Sequence, residues 1–285
     1  DCAMVMAAGR FAAQTKKDFA GTICVSGTVH EECFEGVAPR EVTKRVKPDF
    51  VIVGEATSTS IKIGQRGRAE VVVETEGVSC HSSNPEKGVN AVYGMMAVIE
   101  EIRKIVPNEH PLLGRGILEL TDIVSAPYPG ASVVPAACRA TFDRRTLVGE
   151  DEAVILGQVE EAIARAQEKH PEIKARCYLA TGTEACWTGD TISAKRYFPA
   201  WVVDESSELV VKARRGLEAA GIDAPLSHFS FCTNGSHFCG EAGIPTIGYG
   251  PSLESLAHVR DEYIEISQLT KACRGFASIL AELTR

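Results

Sequence analysis

The chain has 285 residues, 45% of them hydrophobic and 24% charged, which leaves room for one large or two ordinary globular domains. A formal net charge of -8, with no basic run that interleaves aromatics, excludes the electrostatic footprint of a nucleic-acid binder, and no apolar stretch is long enough to span a bilayer. The 10 cysteines include no C-x-x-C pair, and several fall in apolar runs, so they read as reduced thiols of a cytoplasmic protein rather than a disulfide framework.

The chain opens at Asp1 and enters a helical pattern at once, over residues 2–19, with no initiator Met and no signal peptide. It reads as a chain that begins partway through a fold. "GTICVSGTV" (21–29), rich in β-branched residues, predicts a buried strand. Residues 39–46 predict a short helix with Pro39 near its start, and "DFVIVGEA" (49–56) a second strand that ends at Gly54-Glu55. Strand, helix, strand with short links is α/β grammar, in which strands run parallel and sites gather at their C-terminal ends. The acidic pair Glu31-Glu32 and the single Glu55 sit at two such ends.

After about residue 66 the grammar changes. "RAEVVVETEG" alternates like a half-exposed strand, and residues 88–106 predict an amphipathic helix with Val89, Val92, Met96, Ile99 and Ile102 on one face. Strand patterns follow at 116–126 and 132–145, then a helix at 150–169 and a strand at 172–180. The order β-α-β-β-α-β is the split-βαβ, ferredoxin-like plan, read as a domain (67–181) inserted in the first. Either "RAEVVVETEG" or "GILELTDIVSA" could offer an edge that pairs across a two-fold axis. The first grammar then returns in residues 182–285, with helices at 205–220 and 264–284 around "LSHFSFCTNGSHFCGEAGIPTIGYG" (226–250).

Two adjacent carboxylates at a partly desolvated strand end raise each other's pKa, which costs stability. A divalent metal reverses that cost: one carboxylate binds it and the other handles the proton of a bound water. In extended chain, consecutive residues point opposite ways and could divide these tasks, with His30 turned away from Glu31. A solvated strand end carrying two surface glutamates is the alternative. Glu55, on the next strand, adds a third carboxylate to the same sheet edge. Among seven histidines, His110 and His170 precede prolines and read as surface residues, while His228 and His237 flank the "FCTNG" turn as weak candidates. His258 lies in a loop whose preceding strand, "IPTIGYG", opens on that sheet edge. His81, in "GVSCHSSNPEKGVNAV", sits between a strand and the amphipathic helix, with Ser82, Ser83 and Asn84 as capping candidates. It is either incidental or an imidazole offered to an oxyanion.

Four motifs, "SGTVHEE", "VIVGEAT", "HSSNPEKGVNAV" and "GIPTIGYGPSLESLAHVRDEYI", follow in order along nearly the whole chain. By them the chain resembles the dinuclear-zinc family of aminoacylases, succinyl-diaminopimelate desuccinylases, acetylornithine deacetylases and glutamate carboxypeptidases. The interval of 23 residues from Glu32 to Glu55 agrees, and "RYFPAWVVDESSE" with "FCTNG" is most similar to a subgroup of selenium-metabolism-linked hydrolases. The resemblance implies an α/β catalytic domain of the zinc-exopeptidase type with a mostly parallel sheet, and an inserted ferredoxin-like lid and dimerisation domain.

It implies hydrolysis of an amide in an N-acyl amino acid or small dipeptide, with two zincs (cobalt or manganese as alternatives) and a bridging water activated by Glu31. Glu32 and His258 match ligands of one zinc and Glu55 a ligand of the other. His81 matches a lid-domain histidine that, in family dimers, steadies the oxyanion in the partner's site. Thr233, Asn234 and Gly235 match a turn near the substrate. Two departures stand out. The chain has no H-x-D motif, Asp1 falls a few residues after the family's bridging aspartate, and roughly a hundred N-terminal residues are expected to be missing. Ser132 stands where many members have an asparagine that touches substrate. The competing expectation is a truncated or non-catalytic member that folds and dimerises without an intact dinuclear site.

Overall fold

The computed structural model describes residues 2–285; Asp1 lies outside the described residues. The first half contains α1 (Cys2–Gln14), α2 (Pro39–Val46), β1 (Val51–Val53), β2 (Ile61–Gln65), β3 (Gly67–Glu76), α3 (Ala91–Ile102), β4 (Glu109–His110), β5 (Gly114–Arg115), β6 (Ile117–Ala126) and β7 (Ala137–Thr146). The second half contains α4 (Glu152–Lys169), β8 (Lys174–Leu179), β9 (Thr181–Ala185), β10 (Thr191–Lys195), β11 (Tyr197–Phe198), β12 (Trp201–Val202), α5 (Glu208–Ala219), β13 (Leu226–Phe229), β14 (Thr246–Gly248) and α6 (Ile266–Leu283). They form two units. One takes the chain up to Arg66, Pro111–Leu113 and Ala200–Arg285; the other takes Gly67–His110 and Gly114–Pro199. The β9–β10 ribbon therefore stays with the second unit, where the sequence reading returns to the first at residue 182.

In the first unit, β1 pairs with β14 and β2 with β13 in parallel, while β14 and β12 meet β2 antiparallel. Ile61, Ile63 and Ile247 of this sheet, with Tyr249 just past β14, pack with Leu209, Leu217, Phe276 and Ile279 from α5 and α6 in one core. Helix α1 buries Ala3, Ala7 and Phe11, one residue per turn, and contacts α6. It stops at Gln14, short of the predicted residue 19, because Lys16 and Lys17 take left-handed backbone angles of +53° and +62°. The run 21–29 is not the buried strand its composition predicts. It is extended and largely exposed, with Val25 41% and Val29 48% accessible. A strand needs a ladder partner for its N–H and C=O groups, and none of the described strands pairs with this run.

The second unit is an antiparallel sheet in the order β8–β3–β7–β6, with β11 continuing the β8 side of β3. Val71, Val73, Ala140 and Phe142 face Met95, Val98, Ile102, Ile155, Val159 and Ile163 of α3 and α4. This is the split-βαβ plan. Because β3 pairs on both sides, "RAEVVVETEG" is no edge; β6 is, and it exposes Ile117, Ile123 and Val124. Helix α3 starts later than predicted, since Val89 is held in an antiparallel bridge to Val78. Its cap is Asn90, which accepts from the Val92 N–H at 2.9 Å, and not Ser82, Ser83 or Asn84. The buried stripe accordingly runs through Met95, Val98 and Ile102, leaving Met96 53% exposed. Below β7, Arg144 and Glu150 form an ion pair at 3.0 Å, both almost fully buried. Glu150 also accepts from the Leu147 N–H and from Asn108. The described residues contain no disulfide among the ten cysteines, and no helix long and apolar enough to cross a membrane.

Candidate active site

The segment that carries Glu31 is a turn, not a strand end. The Phe34 N–H donates to the His30 carbonyl at 2.8 Å, and His30 has a left-handed φ of +54°. Turning the chain here, rather than extending it, separates the two glutamates. Glu31 is partly buried, whereas the Glu32 side chain is 73% exposed. Instead of pointing away, the His30 ring meets Phe34 edge-on at 6.5 Å.

Glu31, Glu32 and Glu55 nevertheless line one cleft, of about 450 Å³, together with Thr28, Gly54 and Asn234. Glu55 reaches it from just beyond the end of β1. The crowding of like charge in a partly dry cleft shows in the acidities. Burial, followed by the charges of Glu55, Glu35 and Glu32, pushes the Glu31 carboxyl up to about 8, against a hydrogen bond from the Asn234 backbone N–H. Burial and then Glu32 push Glu55 up to about 7. Glu31 Oε1 is buried and has no hydrogen-bond partner. His258, at a φ of +60° in its loop, places Nε2 3.3 Å from Glu32 Oε2, with both side chains exposed.

A divalent cation suits this donor set in charge and in type: hard carboxylate oxygens that repel one another, one buried oxygen left unpaired, and an imidazole beside Glu32. Glu32 with His258, and Glu55, are the groups able to hold it. Among the described residues no three His, Cys, Asp or Glu side chains are gathered into a complete metal-binding group.

The turn 233–235 lies between β13 and a π-helix over Ser236–Glu241. Thr233 is fully buried. Its Oγ1 donates to Gln65 Oε1 at 2.6 Å and accepts from the Gly235 N–H at 3.0 Å. Gln65 Nε2 donates to Ser236 Oγ at 3.0 Å. Gly235 is pressed on Trp201, where a Cβ would lie 2.5 Å from the indole nitrogen. Only Asn234 of the three reaches the cleft.

His237 is buried between Glu241, 2.7 Å from Nδ1, and Thr43, 3.0 Å from Nε2, and Arg40 holds Glu241 in turn. It clamps the π-helix to α2. His228 bonds its neighbour's carbonyl, Phe229 O, at 3.0 Å. The supporting residues Gln65, Arg40 and Glu241 carry no motif and were invisible in the sequence.

In the second unit, His81 is exposed and forms a backbone bridge with Val133, next to Ser132. Its Nδ1 accepts from the Ser83 N–H at 3.1 Å, so a neutral ring carries its proton on Nε2 and presents a donor.

Comparisons with known proteins agree with this architecture. The family model of a peptidase dimerisation domain matches residues 63–171. The Escherichia coli K12 protein YgeY is 31% identical over 263 residues, covering 90% of this chain and 64% of its own length. The succinyl-diaminopimelate desuccinylase of Rickettsia massiliae is 26% identical over 277 residues, covering 93% of this chain and 68% of its own. The fold superposes on the Bacillus subtilis YxeP protein, a dinuclear metal-binding peptidase from the M20 family, with a TM-score of 0.68 at 11% identity, over 99% of this chain and 71% of that one. The chain thus spans somewhat under two thirds of YgeY. The matched dimerisation domain, the likeness to YgeY and the shared fold together make this chain similar to the M20 peptidases.

Proposed function

We propose that the whole protein hydrolyses an amide bond in an N-acyl amino acid or small dipeptide. The observation that carries this reading is the Glu31 carboxyl. It sits in an open cleft, burial and neighbouring carboxylates push it up to about 8, and one of its oxygens is unpaired. A carboxylate poised near neutral pH both accepts and returns a proton efficiently. In this reading Glu31 takes a proton from the attacking water as the new C–O bond forms, and delivers it to the amine nitrogen as the C–N bond then breaks. Glu32 with His258, and Glu55, would hold two divalent cations, zinc in preference to cobalt or manganese. Bound cations supply charge that polarises the scissile carbonyl and makes water more acidic. His81 donates from Nε2 to the developing oxyanion. The turn Thr233–Gly235 reaches the cleft through Asn234 alone. The protein acts as a homodimer joined through β6, the exposed edge of the dimerisation domain, in the reducing cytoplasm that ten free thiols suit.

The test is turnover of N-acetyl and N-succinyl amino acids and dipeptides, with zinc present, by the wild type and Glu31→Ala. Loss of about 10²–10⁴-fold in kcat at unchanged metal content is expected. Equal rates in the two proteins contradict the assignment. One observation favours a second reading, a family member that folds and dimerises without an intact dinuclear site: no three potential ligands converge among the described residues. A dimeric wild type that binds no metal and turns over none of the panel supports it.

A further inference from the structure

We propose that Asn234 is a positioning residue that sets the Glu31 carboxylate, by tying both ends of the Glu31 loop to one rigid turn. The proposal rests on the reading of Glu31 as a proton carrier. It replaces the expected role of Asn234 as a substrate contact.

The loop needs such a tie. Residues 28–36 carry the reactive glutamate, yet no described strand pairs with the chain leading into them, and the segment has no regular structure longer than a turn. The Asn234 carboxamide bonds the loop at both ends. Its Nδ2 donates to Thr28 Oγ1 at 3.0 Å, at the start of the loop. Its Oδ1 accepts from the Gly36 N–H at 2.9 Å, at the end. The Asn234 backbone N–H also favours the ionised form of the Glu31 carboxyl between them. These contacts join parts of the chain 206 and 198 residues apart, so no local propensity can substitute for them.

The turn that offers Asn234 is itself held from two sides. Within the core, Thr233 and Ser236 share the side-chain amide of Gln65, and Gly235 lies against Trp201. On the other side, His237 is fixed by Glu241 and Thr43. Gly36 seats directly on His237: its φ is +91°, and a Cβ there would come within 2.9 Å of both His237 Cβ and N. Close approach and left-handed backbone both require glycine at this position, and both bring its N–H to Asn234.

The chemistry singles out asparagine. One side chain must accept at Gly36 and donate at Thr28, and a carboxamide does both. An aspartate would lose the donor and add a fourth carboxylate beside Glu31, Glu32 and Glu55. A leucine would do neither.

The experiment measures amide hydrogen exchange and steady-state kinetics on the full 285-residue chain, for the wild type, Asn234→Ala, Asn234→Asp, Thr28→Val and Glu31→Ala. Loss of the Asn234 carboxamide should speed exchange across residues 28–36 by about tenfold, the equivalent of one or two lost hydrogen bonds, while amides of α5 and α6 keep their rates. Thr28→Val, which cuts one tie from the loop side and leaves the core turn intact, should give a smaller increase confined to the same segment. On the substrate panel, kcat should fall with KM unchanged for both variants, and Asn234→Asp should not restore it. Unchanged exchange in 28–36, or a raised KM at wild-type kcat, would overturn the proposal and return Asn234 to the substrate. Full turnover by Glu31→Ala would instead remove the reading of Glu31 as the proton carrier, and the exchange data would still decide whether Asn234 holds the loop.

Discussion

In the second unit every long strand has a neighbour: β3 is paired along its ten residues by β7 and again by β8 and β11. In the first unit β1 is three residues long and pairs on one side only among the described strands, none of which pairs with the apolar run 21–29. Both units began as similar sequence, short β-branched runs between helices. The contrast shows that composition sets the tendency to extend, while a strand forms only where another backbone completes the ladder. It also separates stability from chemistry. The closed unit buries its charges in pairs, as at Arg144 and Glu150, whereas the open one leaves like charges facing each other around a cleft.

The largest effect that tests this contrast lies in the closed unit. Glu150→Ala leaves the Arg144 guanidinium buried without its carboxylate and should cost about 3–5 kcal/mol. With Trp187→Phe as background, Trp201 in the first unit is the only indole, so its fluorescence follows that unit alone. The expected result is an early loss of far-ultraviolet dichroism with the Trp201 transition in place. A Trp201 transition that shifts by the same amount would show that the units unfold as one.

A smaller and opposite signature is expected from the open unit. In metal-free protein, Glu31 and Glu55 have folded pKa values of about 8 and about 7, above the ordinary carboxylate range. Between about pH 4.5 and pH 8 the folded state therefore binds more protons than the unfolded state, and stability falls as pH rises. The Trp201 urea midpoint should decline across this window, and it should recover at pH 8 when a divalent cation is added. A midpoint that rises with pH without metal would contradict the crowded-carboxylate account.

The smallest effect concerns assembly. Ile123→Lys puts a charge on the exposed edge of β6 and should weaken dimerisation by about tenfold, the scale of a lost interface side chain, at unchanged thermal stability. Light scattering across a dilution series checks it. An unaltered dimer would move the interface away from this edge.

Much of this was legible before the structure. The β-α-β-β-α-β order, the helix started by Pro39 and the strand leading into Glu55 all follow from local periodicity and capping. Glu31, Glu32 and Glu55 do line one cleft, but the expected strand end at Glu31 is a turn, so strand-end grammar accounts for the place of Glu55 alone. What stayed hidden was non-local. The Gln65–Thr233 bond spans 168 residues, and nothing about either residue alone announces it. The exposure of 21–29 depends on a missing neighbour, not on its own residues. The one-residue rotation of the α3 stripe came from Val89 being drawn into a bridge, which delays the helix start.

The account stands on the claim that the carboxylates at 32 and 55, beside Glu31, form a cation site. Calorimetric titration of zinc into the chain at pH 7, repeated in buffers of different ionisation enthalpy, tests it directly, because a cation that binds there must displace the protons that crowding holds on Glu31 and Glu55. Saturable binding with about one proton released per chain, at least tenfold weaker in Glu55→Gln and Glu32→Gln, is the predicted result. Binding without proton release, or equal affinity in all three proteins, would contradict it.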